Sequence, residues 1–195
     1  WNNAAKICRS TLGMLSRNIV HWAELTDYAR QFMRPALLNA NNGREQLPVI
    51  QGKTEAEKQR RYSMPPIPKN ARNILIRSTN WIGDAIMTTP AIRSIRSNFP
   101  EAQITLLALP WVKDVFRASP HIDQIFVYDK QGRHKGLQGK LRLAGELRKK
   151  NYDLTILLQN AFEAALITFL ARIPVRGGYT TDGRGLLLTH GVRKH

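Results

Sequence analysis

The chain is 195 residues long, 43% hydrophobic and 23% charged, a mixture that can bury a real core and is unlike a disordered tail. Lys plus Arg number 30 against 14 for Asp plus Glu, so the net charge is +16 and the pI is near 10.7. Such a balance favours polyanionic company: nucleic acid, an anionic membrane face or a phosphorylated substrate. The single cysteine, Cys8, excludes an internal disulfide and any zinc site built on several thiolates, and it favours a cytosolic home over a secreted one.

No run of about 18 apolar residues occurs, so no apolar membrane-spanning helix is expected. The opening WNNAAKICRSTLGMLSRN has scattered charges and no signal-peptide core. It begins at Trp1 rather than Met, and the finish at GVRKH is abrupt; the expectation is a fragment or a processed product.

Two unlike parts follow one another. In residues 1–63 the net charge is +5, and Leu12, Leu15, Ile19, Trp22, Ala29 and Met33 recur at steps near three and four, with Thr26 filling the gap. That spacing predicts an amphipathic helix, closed by Pro35. From Asn39 to Lys69 the clusters NANNG, QGKTEAEKQRR and MPPIP predict a linker. Met64 is a plausible alternative start, which would make residues 1–63 an accessory helical extension ahead of a domain over 64–195. That second part carries +11, so the excess charge is not confined to a tail.

From Asn73 the rhythm becomes regular. NILIR (73–77) predicts a strand, followed by the loop STNWIGD and a helical stretch to about Asn98. QITLLAL (103–109) predicts a second strand, with a short helix around Trp111–Arg117 after it. QIFVYD (124–129) predicts a third, followed by a basic loop and a helix over Leu137–Lys150. LTILLQ (154–159) predicts a fourth, with a helix over Phe162–Ala171, and VRGGY (175–179) a fifth. Strands apolar throughout and separated by helices imply a parallel sheet covered on both faces, an α/β, Rossmann-like doubly wound domain. In such sheets ligands sit beyond the carboxyl ends of the strands, so every residue at a strand exit is a candidate on geometry alone.

The most informative stretch is STNWIGDAIMTTPAIRSIR. Gly83 can take a tight or left-handed conformation, or allow close approach of a backbone or ligand. Asp84 stands at the start of a helix, where it can cap free N–H groups or, at the exit of the first strand, take the proton of an attacking hydroxyl. The helix dipole would lower its basicity while keeping it ionised. Asn80 and Asn160, near strand exits, can hydrogen-bond a ligand's hydroxyls or cap a turn. Trp81 can stack on a ligand ring or plug the space under the loop. In GRHKGLQGKLR (132–142), the cations Arg133, His134, Lys135, Lys140 and Arg142 form either a solvated basic face or a site for an anionic ligand. No GxGxxG or Walker loop is present. His21, His121, His134, His190 and His195 are widely spaced, without a metal-binding pattern, and no cofactor or metal is called for.

NILIRSTNWIGDAIMTTPAIRSIRSNFPEAQITLLALPWV resembles the opening of bacterial ADP-heptose:lipopolysaccharide heptosyltransferases of glycosyltransferase family 9, the type II enzymes above all. The similarity continues through NYDLTILLQNAFEAALITFLARIPVRGGYTTDGRGLLLT and covers roughly residues 72–192. The family's form of the middle motif has proline and serine where Gln159 and Ala161 stand. The resemblance implies the N-terminal, acceptor-binding half of a two-domain GT-B enzyme, with the donor-binding domain beyond this chain, so that the chain alone is inactive. It implies inverting transfer of heptose from ADP-heptose to an inner-core heptose of lipopolysaccharide. Asp84 matches the family's catalytic base, Arg184 a basic acceptor contact, and the cations Arg133, Lys135 and Lys140 a segment that faces the acceptor; Asp182 orients its loop. A cytoplasmic enzyme, with peripheral contact at the inner membrane face and no nucleic-acid partner, is the corresponding expectation. Heptosyltransferase I or another family 9 transferase is the alternative within the family. A basic RNA-binding module is the alternative outside it, although no RNP pattern, GXXG loop or zinc finger is present.

Overall fold

The computed structural model describes residues 67, 68 and 70–193, and in it the apolar run at Asn73–Arg77 forms strand β1. Helices α1 (Ile82–Met87) and α2 (Thr89–Asn98) follow, then β2 (Gln103–Ala108) and the short α3 (Lys113–Phe116). Next come β3 (Gln124–Val127), α4 (Gly136–Arg148), β4 (Leu154–Leu157) and α5 (Phe162–Leu170). Strand β5 (Val175–Tyr179), a 3-10 turn at Arg184–Leu187 and β6 (His190–Val192) complete the order. The six strands form one sheet in the order β3-β2-β1-β4-β5-β6, every neighbouring pair parallel. This is the doubly wound, Rossmann-like sheet that the alternation of apolar runs and helices predicts. The helical extension predicted over residues 1–63, the start at Met64, Cys8 and His195 lie outside the described residues.

Burial explains why the runs became strands. Ile74, Leu75 and Ile76 of β1 are completely buried, as are Ile104, Leu106 and Leu107 of β2 and Leu154 of β4. Each such side chain contributes roughly 1.5–3 kcal/mol on removal from water, and only a sheet covered on both faces buries consecutive residues. The helices supply the cover: α2 through Ala91, Ile92 and Ile95, α4 through Leu143, Ala144 and Leu147, and α5 through Ala164, Ala165 and Ile167. At the amino edge of the sheet, the Asp153 carboxylate accepts the backbone N–H groups of Arg72 (2.8 Å) and Asn73 (2.9 Å), tying the start of β1 to that of β4.

Two local departures have clear causes. The single helix expected up to Asn98 is split at Thr88, because Pro90 has no N–H to donate and its ring crowds the carbonyl four residues back. The Thr88 hydroxyl closes the break by donating to the Ala85 carbonyl (2.7 Å). Strand β6 escaped the sequence reading: its three residues, HGV, contain no apolar run, and their extended form comes from pairing alongside Gly177–Tyr179. Gly139 is required for packing, since a Cβ there would stand 2.1 Å from the His134 backbone carbon, where α4 crosses its own preceding loop. Among the described residues no helix is long and apolar enough to cross a membrane.

Candidate functional site

The strand order reverses direction between β1 and β4, and the chain departs to opposite sides from these two neighbours. A crevice must open there at the carboxyl edge. The structure has one in that place: a cavity of about 280 Å³ lined by Thr79, Asn80, Trp81 and Asp84 after β1 and by Leu158, Gln159, Asn160 and Ala161 after β4. Four sequence-predicted site residues, Asn80, Trp81, Asp84 and Asn160, therefore come together from segments some 80 positions apart in sequence.

Asp84 is not the N-cap of its helix. Trp81 holds the cap position with extended backbone, and Asp84 lies in the first turn with no side-chain cap hydrogen bond. The capping alternative falls away, and the carboxylate faces the crevice with the favourable end of the helix dipole beneath it. Gly83 is helical rather than left-handed, and a Cβ there would meet nothing within 4 Å, so neither backbone nor packing requires glycine at this position. Trp81 is 74% exposed, so its ring is no plug but an open face.

Both asparagines are fixed by arginines. The Arg77 Nη2 donates to Asn80 Oδ1 (2.9 Å), while its Nη1 donates to the carbonyls of Ser78 (2.6 Å) and Leu107 (3.3 Å). The Trp111 indole N–H donates to the Asn80 carbonyl (2.9 Å), so that residue is held at backbone and side chain alike. Across the crevice, Arg184 Nη2 donates to Asn160 Oδ1 (2.8 Å). Its Nε donates to the Tyr179 carbonyl (2.7 Å) and its Nη1 to the carbonyls of Gln159 and Ala161. Arg184 is completely buried. The resemblance made it a direct acceptor contact; the structure makes it the pin of the β4 exit, because its donors are spent on protein carbonyls. Asp182 does orient its loop, accepting the first N–H of α5 at Phe162 (2.9 Å).

Beneath the crevice, Arg77 is buried against the face of Tyr128, 5.5 Å from the ring centroid. Burial pushes its guanidinium down to about 10, still a cation at neutral pH. The Tyr128 hydroxyl donates to Glu163 Oε1 (2.7 Å), and burial together with that bond pushes the phenol up, so it stays protonated. Glu163 also pairs with Lys140 (3.0 Å) and Lys130 (3.3 Å). Burial opposes its charge, but the Tyr128 bond and the two ammonium groups outweigh that and hold its carboxyl below the usual range. A chain of contacts thus runs from Asn80 through Arg77, Tyr128 and Glu163 to Lys130 and Lys140.

The remaining predicted cations sit on the β3–α4 segment and do not line the crevice. Arg133 pairs with Glu146 (2.6 Å) at the surface, and Lys135 is the exposed N-cap residue of α4. His134 is buried as a structural group: its Nδ1 accepts the Asp129 N–H (3.1 Å) and its Nε2 lies 3.3 Å from Glu146. The Arg133 and Gly132 backbone N–H groups hold the Asp129 carboxyl below its ordinary range and fix the turn. Sequence reading missed Arg77, Tyr128, Glu163 and Trp111. The available signal was Arg77 itself, a charge at the end of an apolar strand predicted to be buried.

Residues 140–195 match the model of glycosyltransferase family 9 (heptosyltransferase). The chain is 31% identical over 115 residues to lipopolysaccharide heptosyltransferase 2 of Salmonella typhimurium, covering 58% of this chain and 33% of that protein. It is 30% identical over 115 residues to lipopolysaccharide heptosyltransferase 2 of Escherichia coli, with the same coverage. The solved structure of E. coli ADP-heptose LPS heptosyltransferase II superposes with a TM-score of 0.52 at 28% identity, over 60% of this chain and 33% of that one. A glycosyl transferase family 9 structure from Veillonella parvula superposes with a TM-score of 0.52 at 28% identity, over 55% and 31%. The chain therefore spans about a third of the length of the curated relatives it matches.

Proposed function

We propose, from the chain's similarity to glycosyltransferase family 9 and to the heptosyltransferase 2 relatives, that it is the acceptor-binding half of a heptosyltransferase of lipopolysaccharide core assembly, with Asp84 as the base. The observation that carries this is a carboxylate, free of any capping bond, in a crevice at the switch point between β1 and β4. In the reaction, Asp84 takes the proton of an acceptor sugar hydroxyl as its oxygen attacks the anomeric carbon of ADP-heptose. The bond from that carbon to the ADP oxygen breaks, and the electron pair leaves with ADP. Attack opposite the leaving group inverts the anomeric centre and needs no enzyme nucleophile. In this reading the ADP moiety is held by a second domain of a GT-B fold, outside these residues, as the matched segment's being only a third of the relatives' length supports.

The heptosyltransferase 2 relatives support the type II reaction, transfer to an inner-core heptose; acceptors of defined core length separate it from types I and III. The exposed cations Arg133 and Lys135, with Lys140 beside them, suit the phosphates and carboxylates of such an acceptor. A cytoplasmic location with peripheral membrane contact belongs to the same reading. Competition between a core oligosaccharide and RNA separates it from a polyanion-binding module, since charge alone gives salt-dependent binding to either. The mechanistic test is Asp84→Asn in the full-length enzyme. Transfer should fall at least about a thousandfold with acceptor binding retained. Transfer at near wild-type rate would return Asp84 to a structural role.

A further inference from the structure

An asparagine side chain has a donor end and an acceptor end, and which end faces a ligand is set by the partner of the other. Arginine can only donate. The bonds from Arg77 to Asn80 Oδ1 and from Arg184 to Asn160 Oδ1 therefore leave each Nδ2 pointing away from its arginine. Both asparagines line the crevice that holds Asp84. The two arginines are nearly or completely buried, and each is anchored by further bonds to backbone carbonyls, so neither amide can turn over without breaking a charge-assisted bond to a buried guanidinium.

We infer that Arg77 and Arg184 are positioning residues that turn Asn80 and Asn160 into two fixed N–H donors on opposite walls of the Asp84 crevice, which selects a neutral polyol. This rests on the proposed transfer to a sugar hydroxyl and narrows it. A hydroxyl accepts an N–H bond through its lone pair while giving its own proton to a carboxylate, so neighbouring hydroxyls match two donors and one acceptor. A phosphate or carboxylate would satisfy the donors but meet the Asp84 charge at close range. The crevice takes the sugar part of the acceptor, and its anionic substituents lie elsewhere.

The test uses the ¹⁵N-labelled 195-residue chain, with the Nδ2 resonances of Asn80 and Asn160 assigned by their loss in Asn80→Asp and Asn160→Asp. Titration with a methyl heptopyranoside should shift both side-chain amides, and inorganic phosphate should shift neither. Each aspartate variant keeps an oxygen toward its arginine, so thermal stability should hold while heptoside affinity drops at least tenfold. Heptoside shifts at backbone amides around Asp84, with both Nδ2 groups unmoved, would overturn this inference and leave the transfer reaction standing. Phosphate moving the same side-chain amides would overturn the preference for a neutral ligand. No heptoside response anywhere would overturn both readings. The wild-type titration decides even where a variant fails to fold.

Discussion

Replacing Arg184 with methionine tests whether this side chain builds the domain or waits for a ligand. The guanidinium is fully buried and donates to four protein oxygens: the carbonyls of Tyr179, Gln159 and Ala161, and Asn160 Oδ1. Bonds to a charged donor are worth about 1.5–3 kcal/mol each, but Gln159, Asn160 and Ala161 line an open crevice where water can replace part of what is lost. Methionine also fills most of the volume and removes the cost of burying a charge. Taking about half of the gross bond energy as recovered leaves about 3–6 kcal/mol, and the relieved cost of burying a charge brings the net loss toward about 3 kcal/mol. In urea unfolding of the 195-residue chain, with a slope of about 1.5–2 kcal/mol per molar, the midpoint should fall by about 1.5–2 M. Arg184→Lys, which keeps the charge but offers no planar fork, should fall between the two. A methionine variant within about 0.5 kcal/mol of wild type would refute the reasoning, and Arg184 would again be a candidate for direct contact with the acceptor.

Gly139→Ala should cost about 1–3 kcal/mol in the same denaturation assay, because the new methyl meets the His134 backbone rather than a movable side chain; a neutral result would mean α4 and its loop are not in contact. Glu163→Gln addresses pH. The folded-state carboxyl titrates below its ordinary value of 4.5, so its stabilising effect is complete above that pH and is lost as pH falls through the lower folded value. Melting temperatures followed from pH 7 to pH 3 should decline less steeply in the variant, and parallel curves would show that Glu163 carries no share of acid sensitivity.

What was readable in the sequence was whatever consecutive burial demands. NILIR and VRGGY are strands with the predicted bounds, and the other runs differ only at their ends, where Leu109, Tyr128 and Leu158 are buried just beyond the last ladder pair. The crevice was legible through a rule about strand exits: Asn80, Trp81 and Asp84 follow the first apolar run within seven residues, Asn160 follows the fourth at once, and all four line it. Direction and burial of long polar side chains were not legible. Arg184 in TTDGRGLLL has the local look of an exposed loop cation, and only the return of β5 and β6 beside β4 encloses it. Lys140 reads as part of a basic face, but Glu163, more than twenty positions away, is its partner in space.

The break at Thr88 also sets how firmly Asp84 is held. Helix α1 has six residues, only Ala85 of them buried, while Ile82 and Ile86 are largely in solvent. So short a helix owes little to its own hydrogen bonds, and a single methyl group is a light anchor. The strands behind it are buried on both faces. The amides of α1 should therefore exchange with solvent deuterium well before those of β1 or β4, so that the carboxylate rides on the loosest turn of a firm scaffold.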